Sequence, residues 1–125
     1  MFFLTLRVYV VLIVFDLYLA TNRFPALYRK VRESHPPRGT TRPRLCVEEV
    51  CHAVELACVW YPKQVLCLQR SAATAFLLKR FGAHAQMVIG AQRMPMRAHA
   101  WVEVDGRIVN DKSYIQETFT VMDRC

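Results

Sequence analysis

The sequence predicts an α+β domain in which N-terminal helices pack on a small antiparallel sheet. Apolar residues recur at three- and four-residue steps over 45–60, and a second helix-forming stretch covers 66–80. Shorter apolar runs begin at residue 84 and are separated by Gly and Pro turn signals, which is typical of strands. Helices followed by strands indicate an α+β arrangement.

At 125 residues the chain is long enough for one domain with a real core. We divide it into an N-terminal apolar and basic helical segment with its loop, residues 1–43, and a core, residues 44–125.

The composition favours apolar and acidic partners. Hydrophobic residues make up 54% of the chain, so some apolar surface is expected to face a partner or a lipid headgroup layer. The net charge of +7 favours nucleic acid, an anionic membrane surface or an acidic peptide, although a solvated basic surface explains it equally well. Because no nucleic-acid motif is present, we expect no nucleic-acid partner.

The cysteines argue against a disulfide framework. Their number is odd and their spacing irregular, which favours a reducing compartment. The spacing around His52 also fits none of the usual zinc patterns, so we expect no metal site. The five cysteines are Cys46, Cys51, Cys58, Cys67 and Cys125.

The first predicted helix covers Phe2 to Ala20, which is apolar except for Thr5, Arg7 and Asp16. A spanning helix needs about 20 apolar residues with few charges, and this stretch has a charge towards each end. It also lacks the order of a signal peptide. We therefore expect it to pack on the domain or to lie on a membrane or a partner, with a spanning helix as the minor alternative.

Two more helices and a loop are expected before Cys67. Pro25 is expected to open a short basic helix, and His35 to Pro43 reads as a loop from its Pro and Gly content. Leu45 to Trp60 is expected to be a helix with one buried stripe. That stripe comprises Val47, Val50, Cys51, Val54 and Cys58.

Cys67 is expected in the first turn of a helix from about Leu66 to Arg80, with Gly82 in a left-handed cap. Free backbone N–H groups and the helix dipole at that position favour a thiolate. A small, buried, inert cysteine is the alternative, and helix position alone does not decide between them.

Two strands should follow, at His84–Ala91 and Ala98–Glu103, and the second places His99, Trp101 and Glu103 on one face. The next turn decides what His99 meets. A two-residue Asp105-Gly106 loop would set Ala100 opposite Asp111. A three-residue bulged loop over 104–106 would instead set His99 opposite Asp111, with a third strand ending there, and we predict this second form.

The chemistry of interest is a Cys67–His99–Asp111 triad. A thiol must become a thiolate, an imidazole must accept its proton, and a carboxylate must hold the imidazole in one tautomer. The alternative is a hydrogen-bonded sheet histidine and a strand-end aspartate. After the triad, residues 115–121 are expected to form a short strand or helix, and residues 122–125 to contribute little.

The motifs resemble those of the leader peptidases of lasso-peptide biosynthesis. They are the Cys67-Leu68 helix start, Gly82, Val88-Ile89-Gly90, the stretch from Ala98 to Val104 with Gly106, and Val109-Asn110-Asp111. They come in the family's order and intervals and cover roughly the last half of the chain. Such proteins belong to the transglutaminase-like, papain-like cysteine-protease superfamily.

This resemblance implies a core with its nucleophile at a helix N-terminus. It further implies a cytoplasmic bacterial hydrolase that removes the leader from a ribosomally made precursor. The implied partners are the precursor peptide, a separate leader-binding protein and the lasso cyclase, with a peripheral membrane contact through the N-terminal helix as a further expectation. We expect no cofactor, because no phosphate-binding loop is visible.

The catalytic residues implied are Cys67, His99 and Asp111. Gln64, three residues before the nucleophile, is a candidate oxyanion donor, and Trp101 a candidate support. Another acyl transferase or amidase of the same superfamily would share the triad. A non-catalytic adaptor that docks a membrane or a synthetase complex remains the alternative from a different class.

Overall fold

Helices precede a single antiparallel sheet, as the sequence predicts. A computed structural model describes residues 2–35, 47–92, 96–111, 115 and 119–125. Within these residues there are four helices and four strands. The helices are α1 (Phe2–Ala20), α2 (Phe24–Arg32), α3 (Val47–Val59) and α4 (Cys67–Arg80). The strands are β1 (Ala85–Gln92), β2 (Arg97–Val104), β3 (Arg107–Ile108) and β4 (Thr120–Arg124).

The sheet has the strand order β3-β2-β1-β4, and every neighbouring pair is antiparallel. β1 and β2 form a long hairpin in which Gly90 faces His99. β4 pairs with the other edge of β1, and the register shifts between Ile89 and Gly90. The helix-before-sheet α+β class is therefore confirmed.

The end of the chain differs from the expectation that residues 122–125 contribute little. Three of these residues belong to β4, and Cys125 is buried with its N–H donating to the Met87 carbonyl at 2.9 Å. The expectation was wrong because the partner of β4 is β1, some thirty residues earlier in the chain, and such a distant pairing leaves no local pattern. The last element is a strand that begins at Thr120.

The core lies between the helices and one face of the sheet. Met87, Val102 and Val104 from the sheet meet the buried side of α4, which is slim at Ala72, Ala73 and Ala75. On α3 the most buried residues are Val50, Ala53, Val54 and Ala57, whereas Cys51 and Cys58 are half-buried. The stripe is thus rotated slightly from the predicted one, because alanines let α3 approach its neighbours more closely than the half-buried cysteines do.

α1 packs against α2, α3 and α4 through the fully buried Val8, Leu12 and Phe15. By length and composition alone, the stretch Phe3–Ala20 could also cross a membrane. The predicted loop 35–43 lies outside the described residues from 36 onward, so the division into 1–43 and 44–125 stays a prediction.

The turn between β2 and β3 has two residues, so the predicted three-residue bulged loop is wrong. Val104 pairs with Arg107 and Glu103 with Ile108. Asp105 and Gly106 both have positive φ, 51° and 80°, as a tight hairpin turn requires. Such a turn matches the natural twist of the two strands, and Asp tolerates the left-handed conformation. The third strand also ends at Ile108 rather than at Asp111.

Candidate active site

His99 and Asp111 are in contact, with His99 Nε2 2.5 Å from Asp111 Oδ2. Both side chains are largely buried, at 22% and 14% exposure. With a proton on Nε2, the imidazole donates to the carboxylate, which fixes the tautomer and the ring orientation. The other ring nitrogen, Nδ1, is then the one that can accept a proton from a thiol.

Asp111 reaches His99 because the chain leaves the sheet after Ile108. The Val109 N–H donates to the Val102 carbonyl at 3.0 Å, and the Val102 N–H donates to Asn110 Oδ1 at 2.7 Å. Asn110 Oδ1 therefore accepts the β2 hydrogen bond that a backbone carbonyl would accept if the third strand continued. Because the β2–β3 pairing ends before Asp111, strand alternation does not place the Asp111 side chain on the face opposite His99.

Ser71 joins this segment to α4, the helix that begins at Cys67. Its hydroxyl donates to the Ala100 carbonyl at 3.0 Å and accepts a hydrogen bond from Asn110 Nδ2 at 3.1 Å. Ser71 is fully buried and lies one turn after Cys67 on the same side of α4. Through Ser71, α4 contacts both the residue after His99 and the residue before Asp111.

Cys67 is the first residue of α4 and is half-buried. The residue before it, Leu66, has an extended backbone and no side chain that can cap the helix. The N–H groups of the first turn therefore remain available to a negative charge at this position. Among the contacts of the described residues, no hydrogen bond joins Cys67 to His99. The structure therefore brings together His99 and Asp111 of the predicted triad, but not Cys67 and His99.

Two aromatic rings hold the imidazole. The Phe119 ring lies 5.4 Å from the His99 ring and the Trp101 ring 6.1 Å from it, both within 30° of parallel. Trp101 is fully buried, and its Nε1–H donates to Glu103 Oε2 at 2.9 Å. Because that N–H is engaged, support of His99 through the ring is the role that the geometry allows Trp101.

Glu103 is a nearly buried carboxylate behind this stack. It accepts the Trp101 N–H and also an Arg124 Nη1–H at 2.7 Å. A buried carboxylate needs such partners, since an unpaired charge away from water is strongly unfavourable. β4 thus supplies the cation that makes the Glu103–Trp101 support stable.

Gly90 leaves room for the same stack. A Cβ at this position would lie 2.7 Å from Trp101 Cη2 and 3.0 Å from the Phe119 Cβ, closer than atoms of this kind approach one another. The Gly in Val88-Ile89-Gly90 therefore allows the tryptophan ring to cross β1 directly beneath His99.

α1 holds the loop that precedes Cys67. Asp16 forms an ion pair with Lys63 at 2.8 Å and accepts the Tyr61 hydroxyl at 3.0 Å. The Lys63 hydrogen bond lowers the pKa of Asp16, with a smaller contribution from Tyr61, and partial burial opposes it. Gln69 in the first turns of α4 donates to the Leu12 carbonyl at 2.9 Å.

Gln64 lies in this loop and is exposed, three residues before Cys67. Its role as an oxyanion donor stays a prediction. The loop itself is positioned by α1, which explains why a mostly apolar helix carries an aspartate in its second half.

A cleft of about 760 Å³ lies along the turn end of the β1–β2 hairpin and β4. Its lining includes Ala98, the residue before His99, together with the flexible side chain of Met96. The other lining residues are Ala91, Gln92, Arg97, Thr120 and Met122. The cleft is large enough for an extended peptide segment, and His99 is not among the residues that line it.

Sequence reasoning missed four residues of the site: Ser71, Asn110, Phe119 and Arg124. Ser71 could have been identified from the sequence, because a hydroxyl between apolar helix positions must find a hydrogen-bond acceptor when it is buried. Phe119 and Arg124 could not have been identified in this way, because their positions follow from the distant β1–β4 pairing. In the described part of the chain, no cluster of three or more His, Cys, Asp or Glu could hold a metal ion.

Comparison with known proteins gives two matches. The model of a family described as the transglutaminase-like superfamily matches residues 10–124. The chain is also 34% identical over 56 residues to the microcin J25-processing protein McjB of Escherichia coli. That alignment covers 45% of this chain and 27% of the relative, so the chain matches about a quarter of the relative's length. No solved structure matches the chain significantly.

Proposed function

This chain belongs to the transglutaminase-like superfamily, and on that premise we propose that it is a cysteine peptidase that removes the leader from a lasso-peptide precursor. The observation that carries the proposal is the His99–Asp111 contact on a strand that packs against the helix of Cys67. The substrate class rests on the distant relationship to the microcin J25-processing protein, which covers only part of both chains.

The first half of the proposed reaction forms an acyl-enzyme. Cys67 gives its thiol proton to His99 Nδ1, and the thiolate attacks the scissile carbonyl carbon. The resulting oxyanion is stabilised by the Cys67 backbone N–H and, as a second donor, Gln64. His99 then passes the proton to the amine of the core peptide as the C–N bond breaks, which leaves the leader attached to Cys67 as a thioester.

The second half releases the leader. His99 takes a proton from water, and the hydroxide attacks the thioester carbonyl. The C–S bond breaks, the leader leaves with a new carboxylate, and the sulfur recovers its proton from His99. Asp111 keeps the imidazole in one tautomer throughout and stabilises its protonated form. In this reaction Cys67 and His99 approach each other when substrate binds, as catalytic contacts often tighten in the substrate complex.

The proposal includes a place in a maturation complex. A separate leader-binding protein would deliver the precursor, and a cyclase would consume the core peptide released with a free amine. A reducing cytoplasm would keep the cysteines as thiols, and Cys58, Cys67 and Cys125 form no disulfide in this structure.

The test is cleavage of a lasso precursor in the presence of its leader-binding protein, followed by mass spectrometry. The expected products are leader and core peptides whose masses add up to the precursor plus one water. Cys67→Ala should abolish cleavage and Gln64→Ala should reduce it, by up to the roughly 2.7–4 kcal/mol in barrier that one oxyanion donor contributes elsewhere. Wild-type activity of Gln64→Ala would remove that residue from the mechanism.

Two other outcomes would replace the proposal. A product that gains an amine instead of water would identify an acyl transferase with the same triad. An absence of any covalent chemistry at Cys67, together with full biological function of His99→Ala, would identify an adaptor.

A further inference from the structure

The side of α1 that faces away from the domain carries an apolar stripe. Its side chains recur at three- and four-residue steps, so they share one face of the helix. Phe3 is the most exposed, at 82%, and no member is less than 37% exposed in the described structure. We refer to Phe3, Leu6, Val10, Ile13, Val14 and Leu17 as the outer stripe.

Basic side chains adjoin the outer stripe, whereas the acidic side chain of α1 is engaged in other contacts. Arg7 is exposed between two stripe positions, and Arg23 lines a groove together with Val14 and Leu17. The one acidic residue of α1, Asp16, is paired with Lys63 and Tyr61. Exposed Arg29 and Arg32 follow on α2, which packs against α1. Apolar surface bordered by cations is complementary to a bilayer that contains anionic lipids.

An exposed tryptophan adjoins a residue that contacts α1. Trp60 is 76% exposed, and the ring of the next residue, Tyr61, packs at a tilt against Tyr9 of α1, with ring centroids 5.4 Å apart. Indole rings are enriched at the level of lipid headgroups, where the ring is apolar and its N–H remains hydrated.

We propose that α1 docks this protein on an anionic lipid bilayer, lying in the plane of the membrane interface with the outer stripe turned towards the acyl chains. The inference does not depend on the peptidase assignment, because it uses the side of α1 that is turned away from the domain.

The inner side of α1 argues for a helix that lies on the bilayer rather than one that spans it. Spanning would withdraw Val8, Leu12 and Phe15 from the core, where each is at most 1% exposed. It would also break the Gln69–Leu12 hydrogen bond and place Asp16 in hydrocarbon without Lys63.

A second copy of the chain is a poorer occupant. A symmetric contact along the outer stripe would bring a second Arg7 and Arg23 to the first pair. α1 has no free carboxylate to meet them, so the approach would be repulsive.

The test is flotation of the full chain with phosphatidylcholine vesicles, with and without phosphatidylglycerol. Binding is expected only with phosphatidylglycerol and should weaken as salt is raised. Leu6→Glu and Val10→Glu should each lower the partition coefficient about tenfold or more, and Arg23→Gln about fivefold. Met96→Glu is the matched control, because Met96 is 86% exposed outside α1 and the same charge is introduced.

Tryptophan fluorescence gives an independent measurement. The chain has two tryptophans, of which Trp101 is fully buried and Trp60 is exposed. Vesicle binding should therefore shift the emission of Trp60 to shorter wavelength and expose it to quenching by brominated lipid. Trp60→Phe should bind vesicles and lose the shift.

Four results would overturn the proposal. The first is no binding to anionic vesicles, and the second is an equal loss of binding in Met96→Glu and Leu6→Glu. The third is resistance of the bound protein to alkaline carbonate extraction, which would indicate a spanning helix. The fourth is a dimer that forms without lipid and that Val10→Glu converts to a monomer with no change in vesicle binding. Circular dichroism of each variant would verify that the fold is retained.

Discussion

Asp111 contacts His99 although the two residues are not partners in the sheet. The register of β2 and β3, if continued beyond Ile108, would set Ala100 opposite Asp111 and place the carboxylate on the wrong face. The ladder instead ends, and Asn110 bonds the Val102 N–H with its side chain. Asp111 can then approach His99 Nε2 to 2.5 Å.

Replacing Asp111 should therefore affect turnover more than substrate binding. Asp111→Ala removes the group that selects the His99 tautomer, and kcat for precursor cleavage should fall by about 10²–10⁴-fold with little change in KM. Asp111→Asn retains an acceptor oxygen and should lie between the wild type and alanine. Steady-state kinetics on the three proteins measures this, and a wild-type kcat for Asp111→Ala would contradict the assigned role.

Ser71 should act as a positioning residue for the same contact. Ser71→Ala leaves Asn110 Nδ2 and the Ala100 carbonyl without their partner, which should lower the free energy of unfolding by about 1–3 kcal/mol and also lower kcat. Thr74→Ala is the control, because the equally buried Thr74 hydroxyl donates to the Arg70 carbonyl, within α4 itself. Urea unfolding and cleavage kinetics on both variants separate the effects: equal kcat values would show that Ser71 contributes to stability alone.

The helices and the long strands could be predicted from the sequence because their signals are local. Apolar periodicity places α4 within one residue, and Gly82 adopts the left-handed cap conformation that its position after Phe81 predicted. The face shared by His99, Trp101 and Glu103 follows from strand alternation, and the Trp101–Glu103 hydrogen bond agrees with it.

The turn and the surroundings of His99 could not be predicted in the same way. The proximity of His99 and Asp111 was expected for the wrong reason, since it was derived from a bulged turn and arises from an early strand end. The choice between the two turns depends on a balance of backbone conformations that Asp105 and Gly106 both tolerate. The packing of His99 against Trp101 and Phe119, whose rings also contact each other, depends on β4, whose pairing is not local.

Arg124 should stabilise the support behind His99. Arg124→Met removes the ion pair between Arg124 and the nearly buried Glu103 carboxylate, and we expect the free energy of unfolding to fall by about 1–3 kcal/mol. The lower end of that range is favoured because the Arg124 side chain is 41% exposed. Adding Glu103→Gln to Arg124→Met should recover part of the loss, because the neutral amide still accepts the Trp101 N–H. Urea denaturation of Arg124→Met, Glu103→Gln and the double variant measures this, and purely additive losses would contradict the coupling.

The Asp16–Lys63 ion pair should make stability depend on pH. Hydrogen bonding to Lys63 lowers the pKa of Asp16 in the folded protein below its ordinary value. The stabilisation is therefore present above the unfolded pKa, about 3.9, and is lost as pH falls through the lower folded value. The stability difference between wild type and Asp16→Asn should be largest near neutral pH and should shrink below pH of about 4. Urea unfolding across this range is the measurement, and a difference that grows on acidification would contradict the assignment.

The most direct test of the central claim is the rate at which iodoacetamide labels each cysteine as a function of pH, followed by mass spectrometry. Cys58 and Cys125 serve as internal references, because burial raises the pKa of both thiols and should delay their labelling to alkaline pH. Cys67 should react well below pH of about 8, and His99→Ala should remove that reactivity while leaving the two references unchanged.

The measurement should be repeated with the precursor and its leader-binding protein, so that a site completed by its substrate is also detected. Selective, His99-dependent labelling of Cys67 under either condition is the predicted result. Labelling of Cys67 no faster than that of Cys58 and Cys125 under both conditions would contradict its assignment as the nucleophile.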